Sequence, residues 1–268
     1  MDIDFIKAEG AGNDFIIVDS ENLASFDNIG RLAKVLCSRK RSIGADGLLI
    51  FDTSKSCDFK MRIFNPDGQE VSMCGNGARC LSLYAHQKKG LKSNLCLETR
   101  AGSLQTEVNG NIIRLKMPEP KNIKMDFILK IDNKKIKADF INCGVPHVVC
   151  FVDNVDNYDV VGIGRKIRYH KEFQPEGTNA DFIEILNERS IKLRVYERGV
   201  EDETLSCGTG AVASSLIAAK KGKVNSPVNV QTRSGQILKI YFDIVGDLFK
   251  NIYLEGECNL VYEGKVNI

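Results

Sequence analysis

The chain has no tryptophan, only three histidines and no Cys-Xaa-Xaa-Cys pair in 268 residues. Without such a pair, and without a Cys/His cluster at metal-ligand spacing, no zinc module is expected. A charge excess is also missing. The net charge of +2 argues against a nucleic-acid partner, which calls for clustered basic residues. The one basic stretch, Lys130 to Lys137, is interleaved with Ile131, Asp132 and Ile136 and reads as a solvated hairpin. No apolar run is long enough to span a bilayer. The opening Met1-Asp2-Ile3-Asp4 has neither a basic n-region nor an apolar h-region, so neither a signal peptide nor a membrane partner is expected. What remains is a globular composition, 43% hydrophobic and 27% charged, long enough for two ordinary domains or one large one.

Nine cysteines are present, an odd number in a chain too long for a small secreted disulfide scaffold. Seven of them (Cys37, Cys57, Cys80, Cys96, Cys143, Cys150 and Cys258) read as small buried hydrophobes in a reducing cytoplasm. The other two stand apart. Met73-Cys74-Gly75-Asn76-Gly77-Ala78 and Ser206-Cys207-Gly208-Thr209-Gly210-Ala211 repeat one pattern at an offset of 133 (207 − 74).

The repetition extends along the chain. Met61-Arg62-Ile63-Phe64 matches Leu193-Arg194-Val195-Tyr196, and Thr99-Arg100-Ala101-Gly102 matches Thr232-Arg233-Ser234-Gly235. Lys88-Lys89-Gly90 matches Lys220-Lys221-Gly222, Gly30-Arg31 matches Gly164-Arg165, and Ala45-Asp46 matches Ala180-Asp181. The segment Gly12 to Asp19 matches Pro146 to Asp153. Ordered matches at nearly one offset indicate duplicated units, and the period is far too long for a solenoid. Met117-Pro118-Glu119-Pro120 interrupts regular structure between them. The expected domains are 1–118, with the last residues from about 263 to 268 returning to it, and 119–262.

Each half is predicted to run in the same order. Strands are expected at Phe15–Asp19, Leu48–Phe51, Lys60–Phe64 and Leu95–Thr99, and again at His147–Asp153, Phe182–Leu186, Ile191–Tyr196 and Val228–Thr232. Asp27 is a candidate cap for a helix with Ile29, Leu32, Ala33 and Leu36 on one face. Helices are also expected at Ala78–Lys89 and Ala211–Lys221, each ending in Lys-Lys-Gly, as suits the negative end and the left-handed closing residue of a helix. The expected fold is α+β: two pseudo-symmetric domains, each a curved, mostly antiparallel sheet or open barrel around a central helix, with the active site in the cleft between domains.

A cysteine before a glycine turn that opens a helix has chemical meaning. Free N–H groups at the helix start bind a carboxylate or phosphate. The same positive end lowers a thiol pKa from about 8.5. Two such elements allow two-base chemistry at one carbon: a thiolate removes a proton from one face and a thiol delivers one to the other. That scheme needs no pyridoxal, metal or nicotinamide. Two structural cysteines are the competing reading.

The segments Gly10-Ala11-Gly12-Asn13-Asp14-Phe15, Phe64-Asn65-Pro66-Asp67-Gly68, Met73 to Cys80, Tyr196-Glu197-Arg198-Gly199 and Ser206 to Gly210 together resemble the diaminopimelate epimerase family, along essentially the whole chain. The resemblance implies a pyridoxal-independent isomerase that converts LL-diaminopimelate to the meso form for lysine and peptidoglycan precursors. It also implies a small-molecule substrate, no cofactor, a cytoplasmic location and commonly a homodimer. Carried over by motif, Cys74 and Cys207 are the base and acid, and Gly75, Asn76, Gly208 and Thr209 hold the reacting carboxylate. Asn13 lies near the reacting centre, and Asn65, Asn179 and Arg198 hold the distal end. A planar guanidinium suits a carboxylate independently of any resemblance. Glu197 is a candidate partner for the distal amine or the nearby thiol, and His147 for tuning thiol protonation. The halves diverge where Asn65-Pro66 stands opposite Glu197-Arg198, as an asymmetric substrate requires. Val145 and Gly47 depart from the family pattern, which often has Asn and Gln there, and this bears on substrate choice. A histidine or proline racemase on the same fold is the nearest rival, although proline racemase-like enzymes carry His where this chain has Asn76. A thiol redox sensor using Cys74 and Cys207 is the rival from another class.

Overall fold

The computed structural model describes residues 2–268. The chain packs into two compact units: residues up to Lys116 with Gly256–Ile268, and Met117–Glu255.

The first unit contains β1 (Asp2–Gly10), β2 (Asn13–Asp19), α1 (Ile29–Leu36), β3 (Gly47–Asp52), β4 (Phe59–Phe64), β5 (Glu70–Val71), α2 (Gly75–Gln87), β6 (Asn94–Thr99), β7 (Gly102–Asn109) and β8 (Ile112–Lys116). The second contains β9 (Lys121–Ile131), β10 (Lys134–Asn142), β11 (Pro146–Phe151), α3 (Val160–Arg168), β12 (Asn179–Asn187), β13 (Ser190–Glu197), β14 (Asp202–Thr204), α4 (Gly208–Lys220), β15 (Val228–Gln231) and β16 (Ile237–Val245). A long last strand, β17 (Leu248–Asn267), begins in the second unit and ends in the first.

The duplication is visible in the pairing. In the first unit β1–β2 is antiparallel, β2–β3 parallel, β3–β4 antiparallel and β4–β6 parallel, with β5 as a short flap on β4. In the second, β10–β11 is antiparallel, β11–β12 parallel, β12–β13 antiparallel and β13–β15 parallel, with β14 as the flap on β13. Two parallel joints in an otherwise antiparallel sheet therefore recur at matching places. In the first unit β7 and β8 continue the sheet, and β17 pairs with β8 and, through its end, with β1. The sheet thus closes into a barrel.

Alternation along the strands explains the two layers of core. Phe15, Ile17 and Leu49 pack with Leu81, Leu83, Tyr84 and Ala85 of α2, whereas Ile16, Val18, Leu48 and Ile50 pack with Leu32, Ala33 and Leu36 of α1. Period two turns successive side chains to opposite faces, and each face receives a helix. In the second unit α3 takes the outer place, burying Val160 and Ile167 against Val148, Cys150, Ala180, Phe182 and Tyr196. α4 is buried from Gly210 to Ala219, as its all-round run of small and apolar residues predicts.

Several local expectations shift. The α1 cap is Asn28, whose side chain accepts from the Arg31 N–H, rather than Asp27. α2 and α4 begin at Gly75 and Gly208, three residues earlier than predicted. Periodicity cannot see a turn made of Gly and Asn, but a capped helix includes it. The basic stretch does form a hairpin, β9 into β10, turning near Asp132. Gly90 and Gly222 close the two central helices at φ of +69° and +67°. Cys57 and Cys96 correct the reading of seven buried thiols. Both are half-buried and joined as a disulfide, where Asp58 and Cys96 also exchange hydrogen bonds of 3.0 and 2.7 Å. Cys37, Cys80, Cys143, Cys150 and Cys258 are buried free thiols, as expected.

Candidate active site

In each unit a two-stranded hairpin delivers a cysteine to the start of the central helix. Arg62 clasps Glu70 in bidentate fashion, Nε to Oε1 at 2.9 Å and Nη2 to Oε2 at 3.1 Å, pinning β5 to β4 just before Cys74. Arg194 clasps Glu203 through two 2.6 Å bonds, pinning β14 to β13 just before Cys207. A second arginine approaches each carboxylate, Arg100 on Glu70 at 3.8 Å and Arg233 on Glu203 at 3.7 Å. The Arg194 Nη1 also donates to the carbonyls of Val155, Asp156 and Tyr158 at 2.8 to 3.1 Å. Planar guanidinium groups make such double contacts where a lysine cannot.

The thiols themselves cap the helices. Cys74 Sγ accepts from the Gly77 N–H at 3.5 Å, and Cys207 Sγ from the Gly210 N–H at 3.4 Å. Both cysteines have extended backbone, while the carbonyl of each already accepts from the helix, Ala78 on Cys74 and Ala211 on Cys207. A serine or aspartate usually holds this position, and here a sulfur takes it. The preceding N–H groups, of Gly75 and Asn76 and of Gly208 and Thr209, belong to the first helical turn and have no intrahelical carbonyl to meet. They suit a carboxylate. Close approach demands glycine at the third helical position of each turn. A Cβ on Gly77 would lie 2.9 Å from Leu49 Cδ2, and one on Gly210 3.3 Å from Cys207 Sγ and 3.2 Å from Asp181 Oδ1.

In the first unit Cys74 is accompanied by an ordered amide chain. Asn76 Nδ2 donates to Asn13 Oδ1 at 2.7 Å, and Asn13 Nδ2 donates to Asp46 Oδ2 at 2.9 Å. The fully buried Arg79 donates to Asn76 Oδ1 at 2.9 Å, which fixes the amide's orientation. Arg39 bridges Asp46 and Asp14 at 2.6 Å each, and Lys7 meets Asp14 at 2.6 Å and also the Gly44 carbonyl. Burial draws the Asp14 carboxyl upward, but hydrogen bonds and charge from Arg39 and Lys7 outweigh it, leaving a pKa of about 2. Asn65 sits at the end of β4, in a turn where its N–H donates to the Gln69 carbonyl.

In the second unit Cys207 is almost enclosed. His147 Nε2 lies 3.0 Å from Thr209 Oγ1, which lies 3.5 Å from Cys207 Sγ. His147 Nδ1 meets the Asp181 carboxylate at 2.9 Å. Asn179 Oδ1 accepts from the Arg198 N–H at 2.7 Å, and its Nδ2 lies 3.4 Å from His147 Nε2. Arg198 Nη1 is held by the Glu176 carbonyl at 2.9 Å. Glu197, anchored by the Thr204 hydroxyl at 2.7 Å, faces the Cys207 thiol. Burial pushes the Glu197 carboxyl above its usual range. Burial first, then the Glu197 and Asp181 carboxylates, push Cys207 well above the ordinary thiol range, against the pull of Thr209 and the Gly210 N–H.

The structure therefore gathers Asn13, Cys74, Gly75 and Asn76 in one unit, and His147, Asn179, Glu197, Arg198, Cys207, Gly208 and Thr209 in the other. Asp46, Asp181 and Arg79 hydrogen-bond these residues and were missed by sequence reasoning. The matched Ala45-Asp46 and Ala180-Asp181 pairs carried the signal for the two aspartates; a lone arginine inside a helix carried none.

Known proteins share the family and the fold of this chain. The family model described as "Diaminopimelate epimerase" matches residues 5–123 and 140–261. A diaminopimelate epimerase of Aquifex aeolicus is 40% identical, covering 99% of this chain and 98% of its own length. One from Archaeoglobus fulgidus is 39% identical, with 98% and 96% covered. Among solved structures, a phenazine biosynthesis protein of the PhzF family from Bacillus anthracis superposes with a TM-score of 0.78 at 19% identity, covering 100% of both chains. A hydroxyproline epimerase from Agrobacterium vitis does so with a TM-score of 0.73 at 14% identity, covering 99% of this chain and 92% of that one. These distant likenesses show the fold. The full-length match at higher identity, with a cysteine-capped helix in each unit, places this chain in the diaminopimelate epimerase family.

Proposed function

We propose that this protein is a pyridoxal-independent isomerase that converts LL-diaminopimelate to meso-diaminopimelate, with Cys74 and Cys207 as its two acid–base groups. The observation that carries the reading is the pair of cysteine-capped helix starts, one in each repeat of a chain that belongs to this family.

Inversion at one carbon requires proton removal from one face and delivery to the other, so the mechanism calls for one thiol per face. One sulfur, as thiolate, takes the α-proton; the electron pair passes into the adjoining carboxylate; the other sulfur, as thiol, gives its proton to the opposite side of the carbon. The first becomes a thiol and the second a thiolate, so charge and protons balance. The helix-start N–H groups of Gly75, Asn76, Gly208 and Thr209 hold the carboxylate as it gains enediolate character. Positioned acid–base transfer of this kind contributes about 10²–10⁴-fold. Asn65, Asn179 and Arg198 hold the distal amino-acid end, with Arg198 facing its carboxylate. The family resemblance supports a homodimer and a cytoplasmic location.

The test is turnover of LL-diaminopimelate in heavy water without added cofactor, following loss of the α-proton signal and appearance of the meso product. Cys74→Ala and Cys207→Ala should each lose at least about 10²-fold. Full activity in either variant refutes the two-thiol scheme. Failure to turn over this substrate, with α-exchange of proline or histidine instead, would move the assignment to a racemase of that amino acid.

A further inference from the structure

The repeat matched Ala45-Asp46 with Ala180-Asp181, and neither aspartate has a place in the chemistry above. In the fold they end two equivalent chains of hydrogen bonds. In the first unit the chain runs Asn76, Asn13, Asp46; in the second it runs Thr209, His147, Asp181. The members correspond pairwise, Asn76 with Thr209, Asn13 with His147 and Asp46 with Asp181. Each begins in the helix turn capped by a cysteine and ends on a carboxylate. They differ in the middle: an amide in one, an imidazole in the other.

We propose that Asp181 is a positioning residue, whose carboxylate holds the His147 proton on Nδ1, so that Nε2 takes the Thr209 hydroxyl proton and Cys207 keeps its own. Donor counting leads there. A carboxylate accepts only, so Nδ1, which is hydrogen-bonded to Asp181 Oδ1 at 3.1 Å, donates. A neutral imidazole then offers a lone pair at Nε2, and the Thr209 hydroxyl 3.0 Å away is its donor. With that hydrogen committed, Thr209 Oγ1 can only accept from Cys207. Glu197, which also meets the thiol, is anchored by Thr204 and accepts. The side chains around Cys207 thus favour the thiol. His147 and Asp181 have no exposed surface, so bulk solvent does not compete for the ring nitrogens. The titratable groups facing this cluster come from β11, β12, β13 and α4: His147, Asp181, Glu197 and Cys207. The Cys143 and Cys150 thiols also feel the Asp181 charge. The first unit reaches the same direction of donation with a middle group that cannot change its protonation, since Asn13 donates to Asp46 as an amide.

The consequence for catalysis rests on the two-thiol reading, but the proton position is measured without substrate, so the two ideas fail separately. Nitrogen-15 NMR of histidine-labelled free protein near neutral pH reads it, with His86→Gln and His170→Gln used for assignment. The expected result is His147 protonated on Nδ1 and bare on Nε2. A doubly protonated ring, or a proton on Nε2 alone, overturns the proposal. Asp181→Asn should move the proton to Nε2, because the new amide donates to Nδ1. In a Cys74→Ala background, alkylation of Cys207 followed by peptide mass should then reach half its maximum rate at a pH lower by about one unit, roughly tenfold in thiolate fraction. Loss of the Asp181 charge by itself also lowers the Cys207 pKa, so the ring proton decides: a His147 still protonated on Nδ1 in Asp181→Asn overturns the proposal.

Discussion

Replacing Arg194 by Met should cost far more than replacing Arg62 by Met, although the two arginines are repeat partners with the same bidentate glutamate contact. Arg194 and Glu203 are 10% and 14% exposed, against 33% and 22% for Arg62 and Glu70. Arg194 also supplies the carbonyls of Val155, Asp156 and Tyr158, which Met would leave without those donors. Removing one partner of a buried pair costs about 3–5 kcal/mol, because the remaining charge is stranded. Arg233, 3.7 Å from Glu203, relieves part of that, which sets the expectation at about 3 kcal/mol. The more open Arg62 clasp is expected to cost about 1 kcal/mol. Equilibrium urea unfolding of the two variants beside the parent measures the difference. Turnover should fall further in Arg194→Met at equal folded fraction, because β14, which leads into Cys207, loses the more buried of the two clasps. Equal costs, within about 0.5 kcal/mol, would refute the argument that burial and the three carbonyls set the ranking.

Other outcomes follow from the same geometry. Gly10→Ala should destabilise by about 1–3 kcal/mol in urea, since its Cβ would meet Cys258 Sγ at 2.9 Å and Cys80 Sγ at 3.0 Å in a packed interior; a neutral result would mean both sulfurs can retreat. Asp14 falls from 3.8 in the unfolded chain to about 2 in the fold, so its contribution is fully present above pH 3.8 and is lost as pH falls through about 2. Discounted for the exposure of Arg39, that contribution is about 1–2 kcal/mol, and the stability gap between parent and Asp14→Asn should close over this window in acid unfolding curves. Glu197→Gln removes a carboxylate beside Cys207 and should lower the pH at which that thiol is alkylated; a rise would contradict the assigned cause.

How much of this was legible in the sequence depended on the range of the interaction. The cysteine turns, the central helices and the strand order could be read because each rests on local spacing, and the duplication supplied every reading twice. The parallel joints β2–β3 and β4–β6 were not legible, because register between strands far apart in sequence is set by packing on both faces. The pairing of Cys57 with Cys96 was missed for the same reason. At the site, Asn13 and His147 were found by motif, but Asp46 and Asp181 act across a sheet and show only as a matched dipeptide. Arg79 stands where its repeat partner is Val212, inside an otherwise apolar helix face. Nothing local signals that its task is to orient the Asn76 amide.

The last strand has a consequence for synthesis. Residues 256–268 complete the barrel of the first unit, and Cys258 lies in the core against α2. During translation, the first unit therefore waits with an unpaired β1 edge and an open side until the whole of the second unit has emerged. The second unit, contiguous in the chain, can fold first. Vectorial folding is reversed, and the unit made earliest is finished last.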